Sequence, residues 1–105
     1  SALLDAALTP AEIEVVSSVL DAHRSDDVDF HGLQTRTSGR HRFVSLHVLV
    51  PGAWTVQHAH DVVEVVEADL KAALEGVEVT THVEPREDSR SYGDAAYDAS
   101  RHHTR

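Results

Sequence analysis

Histidine is the most conspicuous reactive residue in this chain of 105 residues, which contains nine histidines and no cysteine. Without sulfur the chain has no disulfide, no thiolate metal site and no redox thiol. Neutral imidazole is the commonest metal ligand in proteins, and imidazole combined with carboxylate suits Zn²⁺, and after it Co²⁺, Ni²⁺ or Cu²⁺. The composition therefore favours a metal site built from nitrogen and oxygen ligands.

Two predicted strands bring a pair of histidines together. Residues 30–37 and 41–50 read as strands joined by a turn that contains Gly39. A three-residue loop, 38–40, places His31 directly opposite His47 on one face of the sheet, with Cβ atoms about 5 Å apart. A two-residue loop would turn these side chains to opposite faces. The predicted histidine pair therefore depends on the length of this loop.

A third predicted strand, residues 77–84, extends the cluster of ligand types. Its alternating pattern puts valines on one face and both His82 and Glu84 on the other. Three histidines and one carboxylate can therefore converge on the sheet face that the helices do not cover. Because Phe43 and Leu49 also lie on this face, we expect a second copy of the chain to cover it.

Two amphipathic helices must support this sheet. The first begins at Thr9, with a proline at the first helical position and Glu12 completing a capping box, and it ends near His23. The second begins after Thr55 and stops at Gly76. The order helix–strand–strand–helix–strand and a right-handed crossover make the third strand parallel to the second. The chain is thus predicted to be an α+β fold, with a three-stranded mixed sheet and both helices on one face.

Charge and hydropathy exclude several classes of function. Acidic residues number 18 against nine basic ones, giving a net charge of −9, which disfavours nucleic acid and suits cations. The longest apolar run is three residues, whereas a membrane helix needs roughly 20, so we expect no insertion of this segment into a membrane. Residues 1–86 are predicted to form one domain, and residues 87–105 a disordered polar tail.

Four stretches of the sequence resemble one known family. Residues 31–39, HGLQTRTSG, resemble the His-x-Leu-Arg-Thr-Arg-x-x-Gly stretch in the cytoplasmic C-terminal domain of cation diffusion facilitators, which are zinc transporters. Residues 42–50 resemble the strand that follows that stretch, and residues 59–61, AHD, resemble an Ala-His pair that opens the family's second helix. Residues 79–85, VTTHVEP, resemble its closing strand. The resemblance extends over residues 3–86.

The resemblance implies a metallochaperone-like (ferredoxin-like) αββαβ fold, a homodimer and a binuclear zinc site near the dimer interface. It makes His31 and His47 ligands of one metal, and His82 and His60 ligands of the other. Glu84 matches a bridging carboxylate that is often aspartate in the family. His60 enters this set only through the resemblance, because it lies on the predicted second helix, away from the other ligands.

The expected function follows from the resemblance. The chain would be the metal-sensing, dimerising regulatory domain of a cation diffusion facilitator that exports Zn²⁺, or a similar divalent cation, in exchange for protons. It would lie at the cytoplasmic face of the cell membrane, joined to the transmembrane domain of its own full-length chain, and would not be an enzyme. A free-standing soluble metal buffer or chaperone with the same fold is the alternative.

A binuclear metallohydrolase is a third possibility, and it is disfavoured because the sequence contains no clustered ligand motif and leaves little room for a substrate cleft. The remaining histidines are expected to be solvated, although the last two could bind metal weakly. They are His23, His41, His58, His102 and His103.

Overall fold

The structure, a computed structural model, describes residues 5–93 and contains one mixed sheet with two helices against one face. The strands lie across the sheet in chain order, as β1 (Asp5–Ala6), β2 (Asp29–Ser38), β3 (His41–Val50) and β4 (Val77–Pro85). β2 and β3 are antiparallel, and β4 is parallel to β3. The predicted α+β fold is confirmed, and the two-residue edge strand β1 is an addition to it.

Both helices begin at side-chain caps. Helix α1 (Pro10–His23) starts with a capping box, in which Thr9 Oγ1 accepts from the backbone N–H of Glu12 at 3.2 Å. The Glu12 carboxylate accepts in return from the backbone N–H of Thr9 at 2.9 Å. Helix α2 (Val56–Ala73) follows Thr55, whose hydroxyl accepts from a backbone N–H of the first turn. These hydrogen bonds satisfy backbone donors that a helix leaves without partners at its start.

The apolar core lies between the helices and the sheet. Every second residue of β3 from Val44 to Val50 is buried in it, and Thr81 of β4 donates a hydrogen bond to Glu67 of α2 at 2.8 Å. Each Val or Leu that becomes fully buried stabilises the fold by about 1.5–3 kcal/mol. The helices contribute Val16, Leu20, Ala59, Val63, Val66 and Leu70. Neither α1 nor α2 packs on the opposite face of the sheet.

The loop that joins β2 to β3 consists of two residues, 39–40, because Ser38 pairs with His41. The predicted three-residue loop is therefore wrong. In a regular hairpin with this shorter loop, His31 and His47 would point to opposite faces of the sheet. His31 nevertheless pairs with His47, so the strand pairing must contain an irregularity between the loop and these two residues.

A β-bulge in β2 supplies that irregularity. His31 pairs with His47, but the next pair toward the loop joins Gln34 to Ser45, so two residues of β2 oppose one of β3. The first of these two residues is Gly32, whose φ of +65° lies in the left-handed region that glycine adopts freely. The bulge shifts the register by one residue and restores the predicted histidine pair.

The chain continues beyond β4 as a short ordered segment, residues 86–93, which we call the C-terminal turn. It contains a 3₁₀ helix (Ser89–Tyr92), and the Glu87 carboxylate accepts from the backbone N–H of Gly52 at 2.9 Å. This structure was not anticipated at the start of the predicted tail, and residues 94–105 lie outside the described part of the chain.

Acid is expected to weaken the cap of α1. The Thr9 backbone N–H and the Arg42 guanidinium, 2.6 Å from Glu12 Oε2, hold the pKa of Glu12 below its usual value of 4.5. A lowered pKa stabilises the fold above the unfolded-state pKa, and this contribution disappears as pH falls through the folded-state value. Thermal melting should therefore find Glu12→Gln less stable than wild type at neutral pH, with the difference shrinking in acid. Glu14→Gln, on an exposed position of the same helix, should show no such pH-dependent difference.

Candidate metal centre

Three side chains from three strands meet on the sheet face away from the helices. Oε1 of Glu84 lies 3.1 Å from His31 Nε2 and 3.1 Å from His47 Nδ1. The two imidazole rings are 5.1 Å apart between centroids, in an edge-to-face arrangement. One ligand atom from each of the three residues lies within 4.8 Å of the others. A single cation can therefore contact all three.

Strand register explains this convergence. β3 lies between β2 and β4 and places His47 beside His31 on one side and beside His82 on the other. Because Glu84 is two residues beyond His82 on β4, these two side chains share a face of the sheet. Leu49, the β3 partner of Glu84, lies on that face as well. The site is thus assembled by backbone hydrogen bonding across the sheet.

Glu84 is a buried carboxylate, with only 8% of its surface exposed. Burial raises its pKa, but hydrogen bonds from His31 and His47, together with the nearby His82 imidazole, outweigh this effect. The pKa of Glu84 therefore lies below its usual value of 4.5. At neutral pH the centre of the cluster thus carries a negative charge that is largely shielded from water, which favours a cation.

The ligand types of the trio also fit a metal ion. His31 Nε2 and His47 Nδ1 are the nitrogens that face Glu84 Oε1. A cation held by all three residues would therefore bind these two nitrogens in their deprotonated form. Two imidazoles and one carboxylate are a ligand set that Zn²⁺ accepts, with a fourth position left open. The residues present therefore fit a divalent transition metal.

His82 lies at the rim of this cluster. Its ring is 5.1 Å from that of His47 between centroids, and its Nδ1 is 3.7 Å from Glu84 Oε2. The His82 side chain is 67% exposed, in contrast to the shielded trio. His82 thus faces the carboxylate oxygen that the other two histidines do not contact.

His60 is not brought to the cluster within one chain. It projects from α2 on the helix side of the sheet, where its Nε2 lies 3.6 Å from Glu64 Oε1 and its side chain is 60% exposed. It borders an apolar groove between α2 and β4 that Trp54 and Val83 also line. Four of the five residues in the predicted ligand set therefore lie together, and His60 lies apart.

The other described histidines have different neighbours. His58 stacks on Trp54, with ring centroids 3.8 Å apart, and His23 Nε2 lies 2.6 Å from Asp69 Oδ2, which joins α1 to α2. His41 is exposed at the start of β3. The remaining pair, 102–103, lies outside the described residues.

Sequence reasoning missed one neighbour of the site. The Tyr92 ring lies 6.1 Å from the His31 ring between centroids. Tyr92 belongs to the C-terminal turn, which follows the last predicted strand in a polar stretch without periodicity. The large aromatic side chain of Tyr92 among the small and polar residues of that turn is the available signal.

One family model matches most of this chain. The family model described as "Cation efflux protein, cytoplasmic domain" matches residues 8–86, so the chain is a member of that family. This description also confirms the predicted cytoplasmic location of the segment. Within residues 5–93, no helix is both long enough and apolar enough to cross a membrane.

Two curated relatives are much longer than this chain. An uncharacterized transporter of Synechocystis sp., sll1263, is 45% identical over 92 residues, which make up 88% of this chain and 30% of that protein. The cation-efflux pump FieF of Pectobacterium atrosepticum is 30% identical over 83 residues, or 79% of this chain and 27% of that protein. The chain thus spans less than a third of the length of either relative.

Solved structures share the architecture. The zinc form of CzrB is 32% identical, with a TM-score of 0.70, and the match covers 78% of this chain and 93% of that one. The metal-bound C-terminal domain of the CzcD transporter from Thermotoga maritima is 23% identical, with a TM-score of 0.66, over 78% of this chain and 99% of that one. The second likeness shows the fold alone.

Proposed function

We propose that this chain is the metal-sensing part of a cation diffusion facilitator, and that His31, His47 and Glu84 hold a Zn²⁺ or similar divalent cation in it. The observation that carries the proposal is the shielded trio of two imidazoles and one ionised carboxylate within 4.8 Å of one another. The zinc form of CzrB, which shares the fold, supports zinc as the metal.

His82 and His60 are proposed to serve a second metal. His82 faces Glu84 Oε2, so the carboxylate can bridge two ions and offset their mutual repulsion. His60 lies on α2, on the opposite side of the sheet from Glu84, so it does not reach the metal site of its own chain. We therefore assign it to the site of a second copy, in line with the binuclear zinc site near a dimer interface that the family resemblance implies.

The proposed metal acts by joining two copies of the chain. Each copy carries a net charge of −9, so two copies repel each other, and divalent cations at their interface relieve this repulsion. Zinc can favour a closed pair only if it binds that pair more tightly than the open one. A tenfold preference stabilises closure by about 1.4 kcal/mol. The pair would then bias an attached transmembrane domain towards transport.

The proposed context is a transporter that exchanges cytosolic zinc for protons. The two longer relatives, described as a transporter and a cation-efflux pump, favour this over a free-standing metal buffer with the same site. Because these two relatives are described as a transporter and an efflux pump, we assign no catalytic residue to this chain.

Calorimetric titration with zinc tests the ligand assignment. We expect His47→Ala/His82→Ala to weaken zinc binding by at least about 100-fold, because loss of supporting groups alone weakens metal sites by about 10- to 100-fold. His41→Ala, an exposed histidine on the same strand, should bind zinc as wild type does. Equal binding by the wild type and the double variant would show that the ligand assignment is wrong.

Sedimentation of the same samples tests the closure step separately. Wild-type chain should pass from monomer to dimer as zinc is added, and the double variant should remain monomeric. A wild-type chain that binds zinc yet stays monomeric at high concentration would contradict metal-driven pairing and leave the ligand assignment in place.

A further inference from the structure

The C-terminal turn is fixed beside the metal centre by several hydrogen bonds. The backbone N–H of Arg86 donates to Val50 O at 2.8 Å, which continues the pairing of β4 with β3. Ser91, which is buried, donates from Oγ to Pro85 O at 2.7 Å. The Tyr92 hydroxyl then donates back to Arg86 O at 2.7 Å. These bonds give the turn one defined position, with Tyr92 at its end.

This position puts Tyr92 against the ligand cluster. Its ring is tilted by 47° to the ring of His31, at a centroid distance of 6.1 Å. The His31 side chain is only 13% exposed, although neither α1 nor α2 packs on the sheet face on which it lies. We attribute the shielding of His31 to the Tyr92 ring beside it.

We infer that Tyr92 is a positioning residue for the metal centre, and that metal binding and docking of the C-terminal turn stabilise each other. The inference rests on the proposed function, since it requires a metal at His31. It extends that function beyond the family domain, because the family match ends at residue 86.

The physical reason is the rotational freedom of His31. A ring packed against this imidazole restricts its rotamers before the metal arrives, so less side-chain entropy is lost when a ligand bond forms. The same ring limits the access of water to the site, and the apolar shell around a metal centre influences how its ligands behave. Coupling between two sites is reciprocal, so if docking of the turn increases metal affinity, metal binding must stabilise the docked turn by the same free energy.

Zinc titration of the full chain measures the first half of this coupling. Tyr92→Ala should weaken zinc binding by about two- to tenfold, the equivalent of immobilising one side chain. Tyr92→Phe keeps the ring and should restore most of the affinity, although it loses the hydrogen bond to Arg86. Ser91→Ala, which loosens the turn at a separate point and leaves the Tyr92 ring intact, should also weaken zinc binding.

Amide hydrogen exchange measures the other half. The backbone N–H of Ser91 donates to Asp88 O at 2.9 Å inside the turn, so its exchange reports whether the turn is formed. Zinc should slow exchange across residues 86–93 in wild type and in Tyr92→Phe, and should slow it less in Tyr92→Ala. A purely structural role for Tyr92 would not make this protection depend on zinc.

The outcomes separate this inference from the proposed function. If wild type binds zinc but Tyr92→Ala binds it equally well, or zinc leaves exchange in the turn unchanged, the inference is overturned and the metal site stands. If wild type binds no zinc, both proposals are overturned. Weaker binding by Tyr92→Ala, recovery by Tyr92→Phe and zinc-dependent protection of the turn together support the inference.

Discussion

Glu84→Gln is expected to lower zinc affinity by at least about 100-fold. The loss of groups that only support the ligands of a metal already lowers metal affinity by about 10- to 100-fold, and Glu84 is a proposed ligand itself. Glutamine has nearly the same shape as glutamate but lacks the negative charge. Oε1 of Glu84 lies 3.1 Å from both His31 and His47. Glu84 supplies the carboxylate of the trio, and neither histidine can replace its negative charge. Calorimetry or competition with a coloured zinc chelator measures the loss.

Glu78→Gln is the matched control for that change. Glu78 lies on the same strand and the same face as Glu84, but it is exposed and pairs in the sheet with Phe43. The two variants change the net charge of the chain equally. If zinc binds through general attraction to an acidic protein, both variants will weaken binding by the same small factor. An equal effect would therefore contradict a site centred on Glu84.

Gly32→Ala is expected to damage both the fold and the site. An L-residue in the left-handed region costs about 1–2 kcal/mol, so alanine at φ +65° should lower the free energy of unfolding by about that amount. Relief of this strain removes the bulge that keeps His31 opposite His47. We therefore expect zinc affinity to fall by about tenfold or more, which corresponds to at least about 1.4 kcal/mol.

Gly39→Ala separates strain from positioning. Gly39 has a φ of +62° and no atom within 4 Å of the position a Cβ would take, so alanine there meets a similar backbone penalty. Gly39 lies in the hairpin loop, on the far side of the bulge from His31. Chemical denaturation should show similar destabilisation of both variants, while titration should show weaker zinc binding only for Gly32→Ala. If both variants lose zinc affinity alike, the bulge has no special role in placing His31.

Most of the fold could be predicted because its signals are local. The capping box of Thr9 and Glu12 defines the start of α1. Gly76, predicted as the stop of α2, follows the observed helix end at Ala73 by three residues and has a positive φ in the turn before β4. The alternating pattern after Gly76 defines β4, and the handedness of strand–helix–strand crossovers makes it parallel to β3. His82 and Glu84 then share a face by strand periodicity alone.

The register of β2 shows where local reasoning was insufficient. The predicted pairing of His31 with His47 is correct, but the three-residue loop on which it was based is wrong. The loop is one residue shorter, and the bulge at Gly32 adds the missing residue, so the two differences cancel. A glycine inside a strand pattern indicates a bulge, and this signal was present in the sequence. Only the pairing of whole strands determines which register is adopted.

Contacts between distant elements could not be predicted in the same way. Tyr92 reaches His31 because the chain turns back after β4, and the polar residues of that turn have no periodic pattern. The position of His60 relative to the other proposed ligands depends on how α2 packs on the sheet, or on a second copy of the chain. Neither arrangement is encoded in the spacing of a few residues.

Anomalous diffraction at the zinc absorption edge, from crystals grown with one equivalent of zinc, tests the central claim most directly. The account predicts an anomalous peak within about 2.0–2.2 Å of ligand atoms from His31, His47 and Glu84, the usual range for imidazole and carboxylate ligands of zinc. Zinc bound only elsewhere, such as at His60 and Glu64, with no peak among these three side chains, would contradict it.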